Sequence, residues 1–393
     1  MTKEELSYFR DKKILVTGHT GFKGSWLCRI LGLAGAKVVG YSLAPEGDAL
    51  YPMAAGSMEE SGQLRSVMAD IRDYDRLLQV MREEQPELVL HMAAQPIVRT
   101  SYEKPRYTYE TNVMGTVNLC EAVRLTPSVK SFLNVTTDKV YKNEERGEAF
   151  REDEPLDGYD PYSNSKSCSE LVTHSYVNSF LREMGIPTST ARAGNVIGGG
   201  DFARDRIIPD SIRTALGAMS SGRQMQAASN RPADGQKTED ACSGLCKPVI
   251  QVRNPYSIRP FQHVMEPLFM YLTILRAQAL DPALAGAYNI GPEDADCVTT
   301  GDLVTRFCTA WNEAKAEGEA ELTWENVGNM GPHEATFLKL DCSLARRTFG
   351  WKPVWNIDRA LAETVAWTRV YAEGGDVEAE MNREIEAFLR DNM

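Results

Sequence analysis

The residues best placed to do chemistry are Tyr162 and Lys166, four apart in Asp160-Pro161-Tyr162-Ser163-Asn164-Ser165-Lys166. Asp160 suits a helix cap and Pro161 the first helical position, so a helix starts just ahead of Tyr162. On that helix the phenol and the amine share a face. An ammonium beside a phenol favours the phenolate and brings a group with a reference pKa of about 10 toward the range where it accepts a proton. Such a group is a general base for oxidising an alcohol. The spacing alone is weak evidence, since it recurs by chance in many helices. A second polar cluster, Thr136-Thr137-Asp138-Lys139, follows the apolar run Ser131 to Val135.

The surrounding pattern supplies elements that can bring these groups together. Lys13-Ile14-Leu15-Val16 reads as a strand, and Thr17-Gly18-His19-Thr20-Gly21-Phe22-Lys23-Gly24 as a glycine turn. A helix carrying Trp26, Leu27, Ile30 and Leu31 follows. Glycines there let backbone N–H groups approach a pyrophosphate at a helix N-terminus, and His19 and Lys23 are candidates for added phosphate contacts. Lys37 to Leu43 is the second strand. It ends without the carboxylate that marks NAD or the arginine that marks NADP. Residues 44 to 64 read as a loop. A third strand from Ser66 to Ala69 leads to Asp70 and Ile71, with Asp70 placed for an adenine. Glu87 to Ala94 is the fourth strand, whose small Ala93 and Ala94 leave room for a ligand. A long helix from about Pro105 to Leu125 carries Asn112, the Tyr162 helix runs to about Gly185, and Thr188 to Ala193 is the sixth strand. Strands alternating with helices indicate an α/β, doubly wound parallel sheet of Rossmann type, whose ligands sit outside the carboxyl ends of the strands.

Residues 1–193, with a returning helix and strand near 260–291, therefore read as a dinucleotide-binding domain. Residues 194–259 and 292–393 read as a smaller, mostly helical substrate lobe with a mobile loop near 220–247. Past Gly194-Asn195 the chain carries Arg206, Arg253 and Arg259, whose guanidinium forks suit phosphate oxygens. His333 and Glu334 are placed to face the cleft. The segment from about Asp358 onward reads as one helix. With 393 residues and 42% hydrophobic content the chain can bury a sizeable core. A net charge of -12 disfavours nucleic acid and acidic membranes, so an anionic ligand must meet local arginines. No apolar run is long enough for a membrane span and no signal peptide is seen, so a cytoplasmic location is expected. Eight cysteines without paired CxxC sets suggest neither a metal site nor a disulfide framework.

With the glycine turn, Thr137 and Tyr162/Lys166 in place, the chain resembles the extended short-chain dehydrogenase/reductase family of sugar-nucleotide enzymes. The runs from Val16 to Trp26, His91 to Pro96, Gly158 to Lys166, Arg192 to Asp201 and Arg253 to Pro260 look like its CDP-glucose 4,6-dehydratase branch. The resemblance implies NAD as a tightly held coenzyme, CDP-glucose as substrate, a homodimer, and a place in deoxysugar and lipopolysaccharide biosynthesis. It also implies Gln95 and Asn112 at the cofactor, and Gln95, Asn195, Arg206, Arg253, Arg259 and His333 at the substrate. Tyr162 is then the base at the C4 hydroxyl, aided by Thr137 and Lys166. Asp138 is the acid for the departing 6-hydroxyl and Lys139 the base at C5, where most 4,6-dehydratases carry glutamate. The 220–247 segment is longer than the family leads one to expect. Two other readings fit part of the pattern: a 4-epimerase or reductase on the same fold, and a non-catalytic NAD-binding protein.

Overall fold

The computed structural model describes residues 1–144, 147–229, 248–317, 319–328 and 337–392. The first six strands are β1 (Lys13–Thr17), β2 (Lys37–Ser42), β3 (Leu64–Met68), β4 (Leu88–His91), β5 (Ser131–Val135) and β6 (Thr188–Ala193). They are followed by β7 (Asn195–Ile197), β8 (Val249–Val252), β9 (Ile258–His263), β10 (Ala287–Ile290), β11 (Cys297–Thr299) and β12 (Thr323–Asn326). Seven strands form one sheet in the order β10-β6-β5-β4-β1-β2-β3, and every pairing in it is parallel. Short apolar runs buried on both faces make this sheet: Ile14, Leu15 and Val16 are fully buried, as are Val89 and Leu90. The strand order reverses direction between β1 and β4, and a crevice opens there.

Away from this sheet, β7 pairs with β9 and β9 with β11, while β8 pairs with β12. The helix Thr300–Glu313, capped by Thr299, packs with Ile357–Ala372, capped by Asn356, around Leu303, Phe307, Trp311 and Leu361. The last helix, Val377–Asp391, lies against the sheet side instead, with Phe388 stacked on Phe269. The two sides interlock at Gly199. Its carbonyl accepts from Trp26 Nε1 at 3.0 Å, and a Cβ there would stand 2.0 Å from Cγ of Trp367.

Several expected boundaries move. The stretch 44–64 holds a helix, Tyr51–Glu60, because Tyr51, Ala54, Ala55 and Met58 follow the helical period and bury together. The helix expected over Pro105 to Leu125 comes in three pieces: Pro105–Tyr109, a π turn Glu110–Met114, and Gly115–Arg124. The single helix expected from Asp358 onward breaks at Gly374, whose φ of 71° ends the Ile357–Ala372 helix before Asp376 caps the next. At 220–247 the helix Ile207–Ser229 occupies the start of the expected loop. Residues 230–247, Cys242 and Cys246 among them, lie outside the described residues, as do His333 and Glu334.

Candidate active site

A cavity of about 1250 Å³ opens at the carboxyl ends of β1 to β6 and is closed on its far side by the chain around β7, β8 and β9. Its floor is the glycine turn. Gly18 has φ of 77°, and a Cβ on it would lie 2.8 Å from the backbone nitrogen of Ala93. Gly24 is tighter still, with a Cβ position 2.2 Å from the carbonyl oxygen of Gly18. Only glycine fits these two places, so the Phe22–Leu33 helix starts hard against the end of β1. The first turn of that helix borders the cavity, where a dinucleotide pyrophosphate would meet its N–H groups. Thr17 ties the turn to β4, its Oγ1 accepting from the backbone N–H of Met92 and Ala93 at 3.1 Å each. The residues present therefore fit NAD.

Most of the sequence-derived cofactor set lines this space: Gly18, Thr20, Gly21, Phe22, Lys23 and Gly24 from the turn, then Asp70, Ile71, Ala93 and Ala94. The Asp70 carboxylate is held by the Arg72 guanidinium at 2.7 Å, which keeps it below the usual carboxylate range. Burial pushes the half-buried Lys23 ammonium down to about 7.

Three of the set sit elsewhere. His19 points down, away from the cavity, with Nε2 2.7 Å from Ser66 Oγ and its ring edge-on to Tyr51. The ring is accommodated because position 40 is glycine, where a Cβ would stand 2.3 Å from it. Burial lowers its pKa to about 4, so the imidazole is neutral near pH 7 and adds no charge for a phosphate. Gln95 and Asn112 are buried behind the wall. Asn112 Oδ1 accepts from the Gln95 N–H at 2.8 Å, and its Nδ2 donates to Ser165 Oγ at 2.9 Å, tying the turn after β4 to the Tyr162 helix. They position the walls and do not border the space between them.

That helix spans Pro161–Tyr176, with Asp160 accepting from the Ser163 N–H at 3.0 Å. Tyr162 and Lys166 both face the cavity, as do Thr137 and Lys139 from the end of β5. Burial pushes the Tyr162 phenol up to about 12, opposed by a hydrogen bond from Thr137 and the charge of Arg206. The lowering expected from Lys166 is not seen. Burial brings the Lys166 ammonium itself down to about 8, and its Nζ donates to the Val135 carbonyl at 3.1 Å.

Asp138 departs from expectation in position. Its carboxyl is wholly buried, one layer behind the cavity wall. Oδ1 accepts from Thr137 Oγ1 at 2.9 Å and from Lys139 Nζ at 2.8 Å. Oδ2 is a buried oxygen without a hydrogen-bond partner, against Gly194. The two groups bonded to Oδ1 are the ones that reach the cavity. Lys139 Nζ also lies 3.4 Å from Asn195 Oδ1.

On the far wall stand Asn195, Arg206, Arg253 and Arg259. Arg206 is paired with Asp201 at 3.1 Å, and Arg253 with Asp205 at 3.4 Å. His333 lies outside the described residues. Sequence reasoning missed the support beneath Lys166. Glu170, one turn on, is ion-paired with Arg192 at 3.0 Å, and both are almost fully buried. The signal was present as an acid four residues after the lysine on the same face. Arg99, which also lines the cavity, was missed as well. Among the described residues no group of three or more His, Cys, Asp or Glu side chains is placed to hold a metal ion.

A parallel sheet of this order with a Tyr/Lys pair at its crevice defines a dinucleotide-dependent enzyme of the short-chain dehydrogenase/reductase class. The pattern of the GDP-mannose 4,6 dehydratase family matches residues 15–228, and the chain belongs to that family of nucleotide-sugar dehydratases. Within it the chain is 40% identical to the CDP-glucose 4,6-dehydratase of Salmonella typhimurium, over 98% of each chain. It is 32% identical to a dTDP-glucose 4,6-dehydratase of Xanthomonas campestris, over 90% of this chain and 92% of the other. Among solved structures, the dTDP-glucose 4,6-dehydratase of Bacillus anthracis in complex with NAD superposes with a TM-score of 0.70 at 20% identity, covering 93% of this chain and 98% of that one. A UDP-glucose-4-epimerase of Stenotrophomonas maltophila with bound NAD gives 0.71 at 21% identity, over 93% of this chain and 100% of the other. At these identities the two structures share the fold.

Proposed function

We propose that the chain dehydrates CDP-glucose to CDP-4-keto-6-deoxyglucose with NAD as a retained cofactor. The observation that carries this reading is one cavity bordered by the glycine turn, Tyr162, Thr137 and Lys139, with Asp138 bonded to two of them from behind. Likeness over nearly the full length to a CDP-glucose 4,6-dehydratase supports the nucleotide.

NAD, when bound, would supply the acceptor for hydride from C4 of the hexose and the donor for its return at C6. The glycine turn would hold its pyrophosphate, and Asp70 and Ile71 its adenosine half. Tyr162 accepts the proton of the C4 hydroxyl, and Thr137, which donates to Asp138 Oδ1 while that carboxyl is ionised, can turn its hydrogen to the same C4 oxygen once Asp138 carries a proton. Lys166, charged below about pH 8, stabilises the phenolate that accepts this proton. The 4-ketone acidifies the C5 proton. Elimination then breaks C5–H and C6–O and releases water, so one proton must leave carbon and one must reach the 6-hydroxyl.

Asp138 and Lys139 together hold one proton across a 2.8 Å contact. Moving it from nitrogen to oxygen gives a neutral amine facing the cavity and a carboxylic acid behind it. Lys139 then takes the C5 proton, and the acid gives its own to Thr137 Oγ1, which passes its hydroxyl hydrogen on to the departing 6-hydroxyl. The amine becomes an ammonium as the acid becomes a carboxylate, so the net charge of the buried pair is unchanged through the step. Asn195, Arg206, Arg253 and Arg259 take the nucleotide diphosphate and sugar.

Residues 1–193 with the return over 260–291 form the dinucleotide-binding half of this reading, and 194–259 with the chain from 292 on the substrate half, except that the last helix, Val377–Asp391, packs back on the sheet side. A homodimer is supported by apolar exposure on the Tyr162 helix and around it: Leu171 on that helix is 52% exposed, Phe180 just past its end 43%, and Met114 in the preceding π turn 50%. No helix among the described residues is long and apolar enough to cross a membrane. The reading places the enzyme in the cytoplasm, supplying deoxysugars for lipopolysaccharide.

The test offers CDP-, dTDP- and GDP-hexoses separately with NAD and follows product by mass. Loss of one water from CDP-glucose alone is expected. Turnover of only a non-CDP sugar overturns the substrate.

A further inference from the structure

At the cavity rim one carboxylate holds two guanidinium groups that come from different walls. Asp205 Oδ1 lies 3.3 Å from Arg99 Nη1 and 3.4 Å from Arg253 Nη2. Arg99 sits in the first turn of the helix Val98–Glu103, which follows β4 on the dinucleotide side. Arg253 follows β8 on the opposite side, and all three residues line the cavity. Asp205 has φ of 60°, a left-handed conformation that costs a non-glycine residue energy and that aspartate tolerates better than most.

As a strut this arrangement has little value. The side chains are 31%, 41% and 38% exposed for Arg99, Asp205 and Arg253, and wet pairs of that kind contribute little to stability. As a receptor it is well made. One negative charge faces two positive ones, so the cluster carries a net positive charge toward the cavity. Each guanidinium has five N–H donors, and Asp205 engages one nitrogen of each, so both forks have donors left for a second anion. Two forks aimed at one point from opposite sides match the paired oxygens of a diphosphate.

We propose that Arg99 is a binding residue for the diphosphate of the nucleotide-sugar substrate, and that Asp205 is a positioning residue that holds the Arg99 and Arg253 forks convergent upon it. This rests on the nucleotide-sugar reading above and adds a residue from the β4 side to its substrate set. It also gives the cluster a consequence: the diphosphate ties the two walls together as it binds.

The test compares wild type, Arg99→Gln, Arg99→Lys and Asp205→Asn on whichever nucleotide-glucose the wild type turns over. CDP and cytidine are titrated separately as ligands in the presence of NAD. Arg99→Gln is expected to raise KM and the Kd for CDP roughly 10-fold to 100-fold, the loss of one or two charge-assisted hydrogen bonds. Cytidine affinity, NAD affinity, kcat and thermal melting should stay near wild type, and Arg99→Lys should fall between. Asp205→Asn is expected to raise KM several-fold, and by less when Arg99 is already glutamine. An unchanged Kd for CDP in Arg99→Gln, or an equal loss for cytidine, overturns the role of Arg99. A lower KM in Asp205→Asn overturns the positioning role, since Asp205 would then be competing with the ligand. Wild-type inactivity on every nucleotide-glucose removes the nucleotide-sugar reading, and this inference with it. An active wild type beside an indifferent Arg99→Gln removes only the inference.

Discussion

Glu170→Gln tests the layer beneath the reactive lysine. In the native protein two carboxylate oxygens receive four donors: Oε1 accepts from Arg192 Nε at 3.1 Å and Thr136 Oγ1 at 2.5 Å, and Oε2 from Arg192 Nη2 at 3.0 Å and Thr190 Oγ1 at 2.7 Å. The side chains of Arg192 and Glu170 are 4% and 3% exposed. Glutamine turns one acceptor into a donor that faces other donors, and it leaves the guanidinium charge buried and uncompensated. Breaking a buried pair from one side costs about 3–5 kcal/mol, so the urea midpoint should fall by a corresponding amount. The same change acts on Lys166. Burial lowers that ammonium to about 8, and the negative charge of Glu170 opposes the fall. With the charge gone Lys166 loses its proton at lower pH, so the alkaline limb of the kcat/KM profile should move to more acidic pH. Pairing Glu170→Gln with Arg192→Met removes the orphaned charge and should return part of the stability, but not the position of the limb. A stability loss below about 1 kcal/mol together with an unmoved limb would refute this reasoning.

Four further outcomes follow from the same geometry. Tyr162→Phe should lower kcat roughly 100-fold to 10,000-fold with NAD affinity retained, checked by product mass and cofactor titration. Asp138→Asn should still oxidise C4 but stall before water is lost, so reduced cofactor accumulates in a stopped-flow trace; full turnover would favour an epimerase. Glu266 is buried, its Oε1 accepting from the Val354 and Trp355 N–H groups at 2.8 and 2.7 Å, and burial raises it to about 8 from 4.5. Its contribution to stability is therefore complete below about pH 4.5 and lost as pH rises through about 8, since the folded state holds the extra proton in between; Glu266→Gln should flatten that slope in denaturant titrations. Gly24→Ala drives a Cβ to 2.2 Å from the Gly18 carbonyl, so it should weaken NAD binding and cost about 1–3 kcal/mol, read by cofactor titration and melting.

The parallel sheet was legible because its inner strands carry short apolar stretches such as Ile14 to Val16 and Leu88 to Leu90, and the Tyr162 helix because Asp160 and Pro161 announce it. The helix Tyr51–Glu60 was hidden by Pro52, Gly56 and Ser57, although its buried residues keep the helical period. His19 was misplaced for a different reason. Its direction is set by the space that Gly40 leaves in a neighbouring strand, a contact that no local pattern encodes. Asp138 was read as facing the substrate because it follows β5 beside Thr137, and which side of that turn is cavity depends on Gly194 packing behind it. The sharing of Asp205 between Arg99 and Arg253 joins residues more than a hundred positions apart, so only the folded chain reveals it.

The central claim is that a hydride leaves C4 and returns to C6 of the same hexose while Tyr162 and the Asp138/Lys139 pair move the protons. CDP-glucose carrying deuterium at C4 tests it directly, with the product analysed by mass and NMR. The expected result is a 4-keto-6-deoxy product that has lost one water and carries the deuterium at C6. Deuterium lost to solvent or left on recovered cofactor, or an unchanged hexose epimerised at C4, would contradict it.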